Sequence, residues 1–259
     1  MSKNKDNRKI RVKIRHAQID IIKKDKILTV FQNRRWDGDF LTLQKLITDK
    51  SLGKIAEFEA HYDRYRNSVE ANTWKEESGP GTGILYNLGS HMLDQVVMLF
   101  GLPDYLDARI GTQRTHGKVD DFYDIRLQYD GFLAIIKSSY LVREPGPRYI
   151  VHGHNGSFIK FGIDPQEQSL KEGRIPGSKG WGVEAIQWWG KLNSKINDYP
   201  VLDMIETIPG NYIAFYQNLY QVIREGKELA VKPEQAREVI RLIELCYESN
   251  RLKQAIQVK

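Results

Sequence analysis

Residues 122–140 read FYDIRLQYDGFLAIIKSSY, and this stretch decides the fold class. Tyr123, Ile125, Leu127 and Tyr129 alternate with Asp124, Arg126 and Gln128, the two-residue period of a strand with one buried and one wetter face. Asp130-Gly131 separates this run from a second apolar one. An Asp-Gly in that setting predicts a β-hairpin with a type I′ turn, whose two central residues both take positive φ. A second hairpin is expected over residues 149–154, a turn at Asn155-Gly156, and residues 157–161. Residues 104–115 read as a strand alongside. Upstream, residues 55–63 alternate again, with Ala56, Phe58, Ala60 and Tyr62 opposite Glu57, Glu59, His61 and Asp63.

Helices flank these strands. Residues 16–24, HAQIDIIKK, form a short amphipathic pattern, followed by a strand-like apolar run over 27–31. Asp37 or Asp39 is placed to cap a helix carrying Phe40, Leu43 and Ile47 on one face, with Gly53 as its left-handed stop. The loop EESGPGTG, residues 76–83, leads into a helix over 85–100 that Gly101 and Pro103 end. Residues 162–200 read as an irregular excursion with one short helix. The chain closes with helices over 212–225, turning Tyr212, Phe215, Leu219 and Val222 inward, and over 233–255, burying Ala236, Val239, Ile240, Ile243 and Cys246. The order predicts an α+β fold: an open, mainly antiparallel mixed sheet covered by helices on one face.

The 259 residues fit one large domain or two small ones. The longest uninterrupted apolar runs, 96–100 and 132–136, are far shorter than the roughly 20 residues of a spanning helix. Cys246 is the single cysteine, the first residues show no apolar signal core, and a soluble cytoplasmic protein is expected. The net charge of +6 is uneven: residues 1–26 carry +7 and the rest −1. That basic arm reads either as a phosphate-attracting segment or as a solvated leader. No aromatic residue interleaves it, so a nucleic-acid partner is not expected.

Chemistry concentrates on the helix over 85–100. Asn87 and His91 are four apart, Asp94 and Gln95 follow, and all four share one side in a regular helix. The group reads either as a histidine exchanging a proton with a bound hydroxyl or carbonyl, or as a histidine bonded between helix and sheet. Arg34 and Arg35 beside Trp36 either grip an anion or are solvated charges. His152 and His154 share a strand face without an apparent third ligand, and no metal site is expected; His61 reads as an ordinary sheet residue. The glycines at 79, 81 and 83 lack the G-x-G-x-x-G spacing, follow no apolar strand and include Pro80, so they read as a loop, not as a dinucleotide fingerprint.

Four segments together carry a resemblance: VFQNRRWDGDFLTLQKLI (30–47), GTGILYNLGSHMLDQ (81–95), HGHNGSFIKFGIDPQE (152–167) and PGNYIAFYQNLY (209–220). They resemble the C-terminal half of the Gfo/Idh/MocA oxidoreductases, most of all the scyllo-inositol dehydrogenase-like branch, from about Ile27 to the end. The resemblance implies a Rossmann domain binding NAD(P) ahead of an open-sheet domain that supplies substrate contacts and an oligomer interface. It implies catalysis by a lysine of the Rossmann half with an Asp and a His four apart. The His matches His91; the Asp position holds Asn87, which cannot ionise. Residues 1–26 match at most the tail of the Rossmann half, and Lys5 lacks the context of the family lysine. The expectation is a truncated NAD(P)-dependent sugar or inositol dehydrogenase, residues 27–259 forming its substrate and oligomerisation domain, inactive alone and not itself binding NAD(P). The alternative is a non-catalytic partner-binding module working with a full-length relative or a separate Rossmann subunit. Asn33, Arg34, Trp36 and Tyr212 are expected to face substrate or cofactor.

Overall fold

A computed structural model describes residues 26–259; the helix expected over 16–24, Lys5 and nearly all of the basic arm lie outside the described residues. Helix α1 (Gly38–Thr48) precedes strand β1 (Ile55–His61). A helical segment then ends in α2 (Ser90–Phe100), followed by β2 (Tyr105–Gly111), β3 (Phe122–Tyr129), β4 (Phe132–Ser139), β5 (Tyr149–Gly153) and β6 (Gly156–Lys160). A short helix α3 (Gln166–Lys171), strands β7 (Gly190–Ile196) and β8 (Tyr199–Ile205), helices α4 (Ile213–Glu225) and α5 (Pro233–Leu252), and a two-residue strand β9 (Ile256–Gln257) complete it. The nine strands form one open sheet in the order β8-β7-β6-β5-β1-β4-β3-β2-β9. Among the described strands only β1 and β4 pair in parallel. This is the expected mainly antiparallel mixed sheet.

The alternation read from the sequence sorts the two faces. Phe58, Ala60, Ile125, Leu127, Ala134, Ile136 and Val151 are buried against Leu93 and Val96 of α2 and Val239, Ile243 and Cys246 of α5. The other face carries Glu59, His61, Asp124 and Lys137, and among the described residues the helices that pack on the sheet lie on the first face. Ala56 departs from the pattern, exposed because a bulge shifts the β1–β5 register between Ile55 and Glu57.

Several expectations need correction. Residues 27–31 pair with no strand; the run is tied down by Thr29, whose hydroxyl donates to the Val231 carbonyl at 2.8 Å, and by Phe31 against Phe215. In the first hairpin only Gly131 has positive φ, so the turn is not type I′. The turn with both central residues positive is Asn197-Asp198, at φ 49° and 68°, joining β7 to β8 inside the segment expected to be irregular. Pro200 disguised that hairpin, since proline belongs only where a strand lies at a sheet edge, and β8 is an edge. In the second hairpin Gly153 pairs with Gly156, so its turn residues are His154 and Asn155. Asp37 occupies the cap position of α1 but caps nothing; the first amide, Gly38 N–H, donates to the Asp164 carboxylate at 2.6 Å. Helix α1 ends at Thr48 with Lys50 in the left-handed region, ahead of Gly53, and α5 ends at Leu252, its C-cap Lys253 left-handed.

Candidate functional site

The helix expected over 85–100 is not regular. It opens with a π turn, Leu85–Gly89, and becomes α-helical only at Ser90. The extra residue in that turn breaks the four-residue stacking of Asn87 above His91. Two glycines permit it. A Cβ at Gly89 would meet Leu85 Cδ1 at 2.4 Å and the Tyr123 ring at 3.4 Å. Gly83 has φ +96°, and a Cβ there would fall 2.2 Å from Asp120 Oδ1.

This turn forms one wall of a cavity of about 360 Å³. Asn87, Ser90 and His91 line it from the turn and α2, Tyr140 from the end of β4, and Arg66, Glu70 and Trp74 from the loop after β1. Asn87 is exposed, and its amide is 3.5 Å from the Tyr140 hydroxyl. His91 Nδ1 lies 3.0 Å from Gln32 Oε1, and Nε2 makes no hydrogen bond among the described residues. Burial, reinforced by the Arg34 and Arg148 guanidiniums, pulls the His91 pKa down to about 4. The imidazole is therefore neutral at physiological pH. Beside a hydroxyl such a ring accepts or returns a proton, and the amide, phenol and cation around it offer hydrogen bonds to further hydroxyls.

The rest of the polar group on α2 has another task. Asp94 holds Arg35 through two 2.7 Å bonds, both side chains nearly sealed from solvent. Gln95 donates to the Arg34 carbonyl at 2.8 Å and accepts from the Tyr149 hydroxyl at 2.9 Å. Both clamp the short 3-10 turn Asn33–Trp36 onto α2.

That turn does not open Arg34, Trp36 or Tyr212 into the cavity. Arg34 is buried, bonded to Asp37 at 3.2 Å and Glu167 at 2.6 Å, its guanidinium over the Tyr62 ring. Burial works against its charge, but Asp37 and its other neighbours outweigh that and hold its pKa above the ordinary value. The Tyr212 hydroxyl donates to Asp37 at 2.7 Å. Trp36 packs on Phe215 and gives its carbonyl to Asn211 N–H and Gln166 Nε2. Asn33 is half-buried in the turn and does not line the cavity either. Of the residues expected to face a ligand, His91 and Asn87 are brought together and these four are not. Gln32, Tyr140, Arg66 and Trp74 were missed. Tyr140 continues the alternation of β4, a legible signal; the two loop residues have no periodicity to mark them.

On the polar sheet face His61 sits between Glu59 at 2.8 Å and Asp63 at 3.3 Å. His152 meets Ser157 Oγ at 2.7 Å, while His154 is exposed.

The glycine loop does not fit a dinucleotide. Ile84 N–H donates to the Asp120 carbonyl at 2.9 Å and Leu85 N–H to the Asp120 carboxylate at 3.0 Å. A carboxylate thus stands at the helix start where a diphosphate needs free amides, and it would repel one.

The comparisons agree with this architecture. A family model described as the C-terminal alpha/beta domain of an oxidoreductase family matches residues 44–258. The scyllo-inositol 2-dehydrogenase (NADP(+)) IolW of Bacillus subtilis is 40% identical over 233 residues, covering 90% of this chain and 65% of that protein. An uncharacterized oxidoreductase of Escherichia coli, YdgJ, is 39% identical over 224 residues, covering 86% of this chain and 64% of its own length. The chain therefore spans slightly less than two thirds of these relatives. The solved structure of the oxidoreductase yvaA of Bacillus subtilis superposes with a TM-score of 0.88 at 40% identity, over 92% of this chain and 67% of that one.

Proposed function

The chain belongs to the Gfo/Idh/MocA oxidoreductase family, and from that premise we propose that residues 27–259 are the substrate domain of a sugar- or inositol-type dehydrogenase. In this reading the domain holds a small polyhydroxylated substrate against His91, and turnover requires a nucleotide-binding unit that brings NAD(P). The observation that carries the reading is the cavity whose wall presents a neutral histidine with one ring nitrogen unpartnered. His91 takes the proton of the hydroxyl being oxidised, or returns it in reduction. Asn87, uncharged where the family resemblance implies an aspartate, orients a second hydroxyl, and Tyr140 and Arg66 offer further hydrogen bonds. The name of the Bacillus subtilis relative favours an inositol as the substrate class. Asp120, filling the helix start, is the reason for expecting no dinucleotide at this turn.

The sheet face opposite the helices supports a second element of the proposal, a homo-oligomer. Across β3, β4, β1, β5 and β6 it carries Arg126, Ile135, Glu59, Ile150 and Ile159 in one register row, Ile135 buried among its neighbours and the other four partly or fully exposed. A mixed apolar and charged surface of this kind suits a two-fold contact between copies. No described helix is long and apolar enough to cross a membrane.

The test is binding by saturation-transfer NMR with scyllo-inositol, myo-inositol and glucose, alongside a fluorescence titration with NADPH. Polyol signals should attenuate with the unaltered chain and recover in His91→Ala, and NADPH should show no saturation. Absence of polyol binding at millimolar concentration refutes the substrate assignment; saturable NADPH binding refutes the need for a second unit. Native mass spectrometry over a concentration series, with Ile150→Lys as comparison, tests the oligomer, which fails if the unaltered chain is only monomeric.

A further inference from the structure

We infer that Gln32 is the positioning residue of His91: its side-chain carbonyl accepts the Nδ1 proton and leaves Nε2 as the bare, proton-accepting nitrogen offered to the substrate. The inference rests on His91 being the proton acceptor of the proposed reaction, and its test reads the ring itself.

The contact is a 3.0 Å approach of Gln32 Oε1 to His91 Nδ1, with Gln32 only 7% exposed. A neutral imidazole carries one N–H, and the partner of one nitrogen determines which of the two keeps the proton. Two guanidiniums lie close enough to disfavour a second proton, so the ring holds one. With a carbonyl at Nδ1 that proton stays there. Nε2 makes no competing bond among the described residues.

The placement of Gln32 is built rather than incidental. It immediately precedes the turn Asn33–Trp36, and that turn is fastened to α2 at two further points. Arg35 meets Asp94 with two bonds of 2.7 Å, and the Arg34 carbonyl accepts from Gln95 at 2.8 Å. Partners at 91, 94 and 95 lie within one helical turn, so the three contacts hold the turn in one orientation over the His91 ring. The carbonyl at position 32 thereby arrives with little freedom. Asn87 makes no hydrogen bond to the imidazole among the described residues; its amide is directed to the Tyr140 hydroxyl instead. The orienting task thus falls to a residue 59 positions upstream of the histidine, outside its helix.

Long-range ¹H–¹⁵N NMR of protein labelled at histidine reads the tautomer directly, with His91→Asn identifying the signals. The expected result is a protonated Nδ1 and a pyridine-like Nε2. In Gln32→Leu the two nitrogens should move toward the averaged shifts of a mixed tautomer. In Gln32→Glu the carboxylate should keep the proton on Nδ1 and raise the titration midpoint of His91 by about one unit or more. A protonated Nε2 in the unaltered chain, or a midpoint unmoved in Gln32→Glu, overturns the inference. If Gln32→Leu fails to fold, the other two readings still decide. Should the tautomer be as expected while bound polyol leaves the His91 shifts unchanged, Gln32 keeps its role and the proton-acceptor reading fails.

Discussion

Replacing Asp94 by leucine should destabilise the protein more than any single change on the cavity wall. The Asp94 carboxylate and the Arg35 guanidinium are 3% and 4% exposed and meet through two 2.7 Å bonds. Removing one partner leaves a buried charge with no counterion, which costs about 3–5 kcal/mol. For a chain of this size that corresponds to a drop in melting temperature of roughly 6 to 20 °C. Arg35 keeps two other acceptors, the Ala230 carbonyl at 2.8 Å and Gln235 Oε1 at 3.2 Å, but neither carries a charge. Arg35→Met should cost as much, because Asp94 is then orphaned. The double variant removes both charges and should be no less stable than either single one, its residual loss of about 1–2 kcal/mol coming from the deserted Ala230 carbonyl, since Gln235 Oε1 keeps the Lys232 N–H at 3.0 Å. Urea unfolding of the four proteins measures the cycle. Additive single losses, or an Asp94→Leu loss below about 1 kcal/mol, would refute the view of this pair as the clamp of the 3-10 turn. The same variants should disturb the His91 ring shifts, since Gln32 rides on that turn.

Three further outcomes follow from the site. His91 has a folded pKa of about 4 against an ordinary 6.5. Between those values the unfolded chain binds a proton that the folded one refuses, so stability falls as pH drops below 6.5, by about 2 kcal/mol at pH 5. In His91→Gln that share of the slope should vanish; an unchanged slope contradicts the buried neutral ring. Tyr212→Phe removes a donor from the fully buried Asp37 and should cost about 1–3 kcal/mol in urea unfolding without altering polyol affinity. A weakened affinity with intact stability would return Tyr212 to the ligand. Gly83→Ala forces a side chain onto φ +96° and against Asp120, and a loss of about 2 kcal/mol or more is expected by thermal melting. A neutral effect would mean that the loop is free to move and that the cavity wall is not fixed by it.

Asn87 and His91 could be picked out because their residue types on one amphipathic helix are unusual, and they do line the same cavity. Asp94 and Gln95 were equally conspicuous and belong to the scaffold. Nothing local separates a carboxylate awaiting a ligand from one that has already met an arginine 59 residues away. The same limit hid Gln32, whose significance lies wholly in what it faces. Arg34 and Tyr212 have the residue types of ligand-facing groups, but the Arg34 guanidinium is engaged by Asp37 and Glu167 and the Tyr212 hydroxyl by Asp37.

Read from the chain alone, period-two alternation and turn residues determined that an open, mainly antiparallel sheet would form and which face its helices would cover, because each strand must bury its apolar side whatever its neighbours are. The identities of those neighbours were decided only in three dimensions. The parallel pairing of β1 with β4, the Asp120 carboxylate at the start of the π turn and the carboxylate of Asp164 capping α1 are all contacts between residues distant in sequence. So does the protonation state of His91: its type makes it a base, but burial and two guanidiniums hold it neutral. Periodicity is a property of consecutive residues and survives in the sequence. Desolvation and charge pairing depend on distances that exist only once the chain has folded.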